Sequence, residues 1–194
     1  EGKFILVGYS VGAFGALNYA AKFPARVHSV VSVGGFMTGR AKGLEGVLQF
    51  FSKGRMFRKF IFWSSWKILQ SHVFFLRQAV GFYACKNGEL KAYEPLEPTL
   101  QLMFSDVAQH EIEGMRAWFR YLLPMNLCDE VKGIECPVLA FAGTCDPIIP
   151  YNHQAEYAAA LPNCRFVQLD GVGHVALAEA PVVFKHELVS WLSA

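Results

Sequence analysis

Five residues near the start, Gly8-Tyr9-Ser10-Val11-Gly12, narrow the possible folds more than any other feature of the chain. They follow the apolar run Phe4-Ile5-Leu6-Val7 and precede a small-residue stretch with helical character, Ala13 to Lys22. A G-x-S-x-G match alone counts for little, because chance glycine-rich turns carry it. Between a strand and a helix it reads as a sharp turn that lifts a serine hydroxyl above a sheet edge. The apex of such a turn is strained, and both flanking glycines are expected to let strand and helix approach without Cβ clashes. The helix beginning beside Ser10 aims free N–H groups, that of Val11 above all, at the place where a tetrahedral oxyanion would form. The uncharged run Phe4 to Ala21 also has the length of a signal or membrane segment, but its glycines and Ser10 divide it into strand and helix.

A second cluster lies at the far end. Cys136 to Ala142 reads as a buried parallel strand that enters the turn Gly143-Thr144-Cys145-Asp146-Pro147. Arg165 to Leu169 reads as another strand, leading into Asp170-Gly171-Val172-Gly173-His174. Active sites of open α/β sheets gather outside the carboxyl ends of the strands. Ser10, Asp146 and His174 each follow a strand, in the order serine, acid, histidine.

With these motifs the chain resembles the carboxyl-terminal part of an α/β-hydrolase fold protein with an inserted helical cap. The likeness runs from about Lys3 to Phe36 and from about Ile134 to Ala194. It implies an α/β fold with a partial parallel sheet from the elbow onward: core over 1–38, helical cap over 39–131, core again over 132–194. It also implies Ser10 as nucleophile, His174 as general base, Asp146 as the acid that orients it, and the Val11 N–H as an oxyanion donor. The family carries further strands before the elbow and a loop there that supplies a second oxyanion N–H. Here Glu1 opens almost directly into the elbow strand, so roughly 80 to 100 residues of a typical domain are expected to be missing. A fragment, or a subunit whose partner chain covers the missing strands, is the expectation. Ala13 and Tyr9 stand where many relatives have glycine and histidine.

Composition bounds the rest. With 53% hydrophobic residues and 17 phenylalanines, the chain has more apolar surface than an ordinary domain of 194 residues buries. A net charge of +2 gives no ground for a nucleic-acid partner. The five cysteines, Cys85, Cys128, Cys136, Cys145 and Cys164, form no C-x-x-C pair and read as free thiols, which favours an intracellular reducing compartment. His110-Glu111-Ile112-Glu113 lacks the second histidine of a zinc motif, so no metal is expected, and the acyl-enzyme route needs no cofactor. Asp106 and His110 are expected on one exposed helical face. His28 is placed at the wrong end of its strand for the chemistry, and His153 at a helix start on the surface, with a place in the pocket lining as the alternative. His186 should lie off a buried stripe of Val183, Phe184, Leu188, Trp191 and Leu192.

The middle of the chain reads as helices over Leu44–Phe51, Phe57–Gln70, Val73–Tyr83, Pro98–Gln109 and Glu111–Leu122. Its aromatic and methionine load, Phe50 to Phe82, is expected to be mostly the cap's own core and its seam with the sheet, with some side chains lining an apolar pocket. Between Phe50 and Lys67, cations alternate with aromatics, a pattern that fits either a solvated basic face or peripheral contact with a membrane. The functional expectation is a serine hydrolase acting on a small ester, thioester or related carbonyl substrate with an apolar portion. The alternative is a non-catalytic accessory subunit of a larger complex.

Overall fold

The computed structural model describes residues 2–85 and 87–193; Glu1, Lys86 and Ala194 of the expected segments lie outside them. Four strands, β1 (Phe4–Tyr9), β2 (Val27–Val33), β3 (Val138–Gly143) and β4 (Cys164–Leu169), pair in chain order, and every pair is parallel. β3 is a continuous apolar run, as suits a strand covered on both faces, whereas β2 interrupts its valines with His28, Ser29 and Ser32. All of β3 is buried, and in β2 only His28 is exposed. β1 forms one edge of the described sheet and leaves Phe4, Ile5 and Val7 exposed.

Strand periodicity sorts the core into two layers. Val30, Val138 and Ala140 face α1 (Val11–Lys22) and α8 (Tyr151–Ala160), packing with Phe14, Leu17, Tyr157 and Ala158. Their neighbours Val31, Val33, Leu139 and Phe141 face the other way, onto α9 (Ala176–Glu179) and Phe184 of α10 (Pro181–Leu192). The stripe on α10 is narrower than its sequence suggested. Phe184, Leu188 and Trp191, at i, i+4 and i+7, meet the sheet, while Val183 and Leu192 flank that arc and are exposed.

Between β2 and β3 run α2 (Gly43–Ser52), α3 (Met56–Ser71), α4 (Val73–Gly81), α5 (Asn87–Ala92), α6 (Leu96–Val107) and α7 (Ile112–Leu122). Two starts are set by side chains accepting free N–H groups. His72 Nδ1 accepts from Phe74 at 3.1 Å to open α4, and the Glu111 carboxylate accepts from Glu113 and Gly114 to open α7. The short α5 was not expected, since its six residues hold too little apolar periodicity to register. The helices close two small cores, one around Phe62, Trp66 and Phe119, the other around Leu76, Val80 and Leu100.

The aromatic load of this insertion is not mainly core. Phe62 and Trp66 are buried, but Phe50, Met56, Phe57, Phe60, Trp63, Phe74, Phe75 and Phe82 are exposed. α3 turns Phe62, Trp66 and Leu69 onto its neighbours, while Met56, Phe57, Phe60 and Trp63 lie off that arc and face outward. The Asp106–His110 expectation also fails. α6 ends at Val107, and His110 turns inward to stack on Trp66, at 6.2 Å between ring centres.

Candidate active site

Ser10 sits between β1 and α1 at φ +53°, the one non-glycine residue with positive φ among those described. Its N–H donates to the Val33 carbonyl at 2.8 Å, which pins the apex to β2. As N-cap of α1 the side chain makes no capping bond, so its hydroxyl is free for other work. The turn closes tightly enough that a Cβ at Gly8 would lie 2.3 Å from the Gly12 carbonyl oxygen, which restricts position 8 to glycine. Gly12 differs from the expectation: a Cβ there would meet nothing within 4 Å, because α1 has already turned away from the strand.

Three of the four parallel strands, β1, β3 and β4, deliver the loops bearing Ser10, Asp146 and His174 to one edge, as the sheet direction requires. His174 Nε2 lies 3.0 Å from Ser10 Oγ, and His174 Nδ1 lies 2.7 Å from Asp146 Oδ2. Asp146 is held on all sides. Its Oδ1 accepts from the Ile148 and Ile149 N–H groups at 2.8 and 2.9 Å, and its Oδ2 accepts from Gln154 Nε2 at 3.0 Å. Every partner here donates to an acceptor-only carboxylate, so Nδ1 carries the imidazole proton and Nε2 is left to accept from the Ser10 hydroxyl. Val11 opens α1, and its N–H is among the four that a helix leaves without an internal acceptor.

His174 is fixed from three further directions. Its N–H donates to the Tyr83 carbonyl at 2.8 Å, and its own carbonyl accepts from the Tyr9 hydroxyl at 2.8 Å. Gly34, at φ +57°, passes beneath the ring, where a Cβ would lie 3.1 Å from Cε1. Buried Glu179 accepts from the Gly173 N–H at 3.0 Å and from the Cys85 N–H at 2.8 Å, tying the histidine loop to the helical insertion.

The Ser10 hydroxyl opens onto a cavity of about 540 Å³, within the size range of small-molecule sites. Most of its wall is apolar, including Trp66, Leu100, Met103, Phe119, Leu122 and Ile149. Glu45 supplies the carboxylate on that wall, and the Tyr83 hydroxyl donates to its Oε1 at 2.5 Å. Burial raises the Glu45 carboxyl above its ordinary value, and the Tyr83 bond partly offsets that. Burial also pushes the Tyr9 and Tyr83 phenols far up, with nearby carboxylates adding to it, so both remain protonated donors.

Of the competing histidines, His153 is half-buried outside the cavity wall, and its Nε2 accepts from the Met37 N–H at 3.4 Å. Burial lowers its pKa. His28 and His186 are exposed, and His28 sits at the end of β2 opposite Ser10. No disulfide joins any of the five cysteines among the described residues, and burial raises the Cys164 thiol to about 11. Sequence reasoning missed Tyr9, Glu45, Tyr83 and Glu179 as parts of the site. Only Tyr9 carried a signal, its place beside Ser10, since the others reach the site through tertiary packing.

A sequence model described as the alpha/beta hydrolase fold matches residues 1–181. The chain belongs to the alpha/beta hydrolase fold family. Within this family it is 23% identical over 193 residues to the provisionally named carbamate hydrolase RutD of Pantoea ananatis (strain LMG 20103), covering 96% of this chain and 62% of that relative. An esterase from Thermogutta terrifontis superposes with a TM-score of 0.68 at 18% identity, covering 99% of this chain and 65% of its own. The enol-lactonase from Burkholderia xenovorans LB400 does so with a TM-score of 0.68 at 20% identity, with 99% and 66% covered. At these identities the likeness is one of alpha/beta hydrolase architecture, and the chain spans under two thirds of each relative's length.

Proposed function

We propose that this protein is a serine hydrolase acting on an ester, thioester or related carbonyl compound with an apolar portion. The observation that carries the reading is the continuous relay from Ser10 Oγ through His174 to Asp146, at 3.0 and 2.7 Å, on the wall of a largely apolar cavity.

In the proposed reaction the Ser10 oxygen bonds to the substrate carbonyl carbon while His174 Nε2 takes the hydroxyl proton. Asp146 holds the ring in the required tautomer and stabilises the imidazolium. The developing oxyanion meets the Val11 N–H and the positive end of α1. His174 then returns its proton to the leaving alcohol or thiol as the tetrahedral carbon–oxygen or carbon–sulfur bond breaks, which leaves Ser10 acylated. Water, deprotonated by the same nitrogen, attacks the acyl carbon, and Ser10 leaves with the proton back on its oxygen. Residues of the apolar wall hold the acyl or alcohol chain, and Tyr9 and Tyr83 keep the imidazole in register. The carbamate in the name of the RutD relative has a carbonyl of the same reactive class.

A fluorophosphonate probe tests the reading. Wild type is expected to be labelled covalently and Ser10→Ala to be blank. Equal labelling of both moves the nucleophile elsewhere, and no labelling of either favours the accessory-subunit alternative.

A further inference from the structure

We infer that the outer face of α3 is a docking surface for anionic lipid bilayers. The inference stands apart from the proposed chemistry, because it rests on a different face of the molecule and its test reads binding, not turnover.

The first observation is a helix with two apolar faces. Phe62 and Trp66 of α3 are buried in the core shared with α7. Met56, Phe60 and Trp63 follow one another at spacings of four and three along the opposite side, with Phe57 beside them. Exposure there is high, 86% for Met56, 76% for Phe57 and 64% for Phe60. Contiguous exposed apolar surface of this kind, on the side of a helix away from its core, marks an interaction site.

Charge identifies what covers it. From Lys53 to Arg77 the chain has six lysines and arginines and not one aspartate or glutamate. Lys59 is paired with Glu113 and Arg77 with Glu97. Lys53, Arg55, Arg58 and Lys67 have no ion pair among the described residues and are exposed. Two of them lie over the aromatic rings themselves: the Arg58 guanidinium is 4.1 Å from the centre of Phe50, and Lys67 Nζ is 5.7 Å from the centre of Trp63. The patch therefore joins aromatic side chains, suited to the boundary between headgroups and acyl chains, to cations on long stems that reach anionic headgroups. Among the described residues no helix is long and apolar enough to cross a membrane, so the contact is one of lying on the surface. A second copy is a poorer occupant, because a two-fold contact through this face would set the same unpaired cations against one another.

Vesicle sedimentation with the full chain decides the matter. The protein should pellet with vesicles of equal parts phosphatidylcholine and phosphatidylglycerol and remain in solution with phosphatidylcholine alone. Binding should weaken as the ionic strength is raised to shorten the Debye length below about 8 Å. Each cation near an anionic surface contributes about fivefold to partitioning. Changing Lys53, Arg55 and Arg58 together to glutamate should accordingly lower binding by about a hundredfold or more. Phe57→Ser with Phe60→Ser should also abolish pelleting, with the thermal unfolding curve unchanged because both side chains are exposed. The inference is overturned by no pelleting, by equal pelleting with neutral vesicles, or by pelleting that survives both sets of substitutions. It is overturned equally by a dimer in analytical ultracentrifugation that the Phe57→Ser, Phe60→Ser variant dissolves, which would make the face a self-association surface.

Discussion

The Tyr9 hydroxyl donates to the main-chain carbonyl of His174 at 2.8 Å, joining the residue before the candidate nucleophile to the candidate base across 165 positions of sequence. The bond ties the elbow to the histidine loop directly, without passing through the sheet. Tyr9→Phe keeps the ring contact, 5.3 Å between ring centres, and removes only this link. The expected loss of stability is about 1 kcal/mol, the net worth of one hydrogen bond. The kcat of the full protein should fall several-fold with KM nearly unchanged, since the bond positions His174 and does not face substrate. A rise in KM alone would make Tyr9 a substrate contact, and no change in either constant would leave it without a positioning role.

Asp146 is surrounded by donors on both oxygens, so Asp146→Asn must turn its amide NH₂ toward an N–H that cannot accept it. The substitution should lower turnover by about 10⁴-fold through the wrong imidazole tautomer. It should also destabilise the fold by about 1–3 kcal/mol through a buried mismatched donor. His174→Ala and Ser10→Ala should lose activity to a similar degree, and their double variant no more than either alone. Exposed Asp170 pairs with Gln168 and not with His174, so Asp170→Asn serves as the control and should be near normal.

The two glycines of the elbow are expected to behave oppositely. Gly8→Ala drives a methyl into the Gly12 carbonyl and should prevent soluble expression or cost well over about 3 kcal/mol, since backbone on both sides leaves nothing to yield. Gly12→Ala meets open space inside α1 and should be neutral or add up to about 1 kcal/mol from helix propensity. Thermal melts of the pair distinguish this from a model in which both glycines are steric requirements.

Glu45 gives a pH signature. Burial raises its carboxyl in the folded chain, so the folded state keeps this proton to higher pH than the unfolded state does. Stability is then unaffected by this group below the ordinary value of 4.5 and declines as pH rises from there through the raised folded value. Glu45→Gln retains an oxygen to accept from Tyr83 and does not ionise. Its melting temperature should match wild type near pH 4 and exceed it at pH 8. Parallel curves for the two proteins would show that the carboxylate pays no desolvation penalty.

The sheet and the serine–acid–histidine order were legible in the sequence because they rest on local signals. An apolar run, a glycine turn and a small-residue helix mark Ser10, and strand–turn boundaries mark Asp146 and His174. What was not legible depends on which faces meet. Nothing in the letters of α3 separates Phe62, which packs on Phe119, from Phe60, which faces outward. Nothing local tells that Glu179 reaches both Gly173 and Cys85, or that Glu45 and Tyr83 converge from two helices' distance. His110 looked like a helix-face residue until the helix proved to stop three residues earlier.

The positive φ of Ser10 makes its position an uneasy home for serine. Glycine adopts that conformation without penalty, and asparagine or aspartate do so more readily than most residues. A chain under selection for folding alone would drift toward one of these, because each relieves the backbone and the hydroxyl takes no part in capping α1. Serine at this position thus carries a backbone cost that folding does not require, and the nucleophile role proposed for it sets the thermodynamic interest of the fold against a chemical one at a single atom.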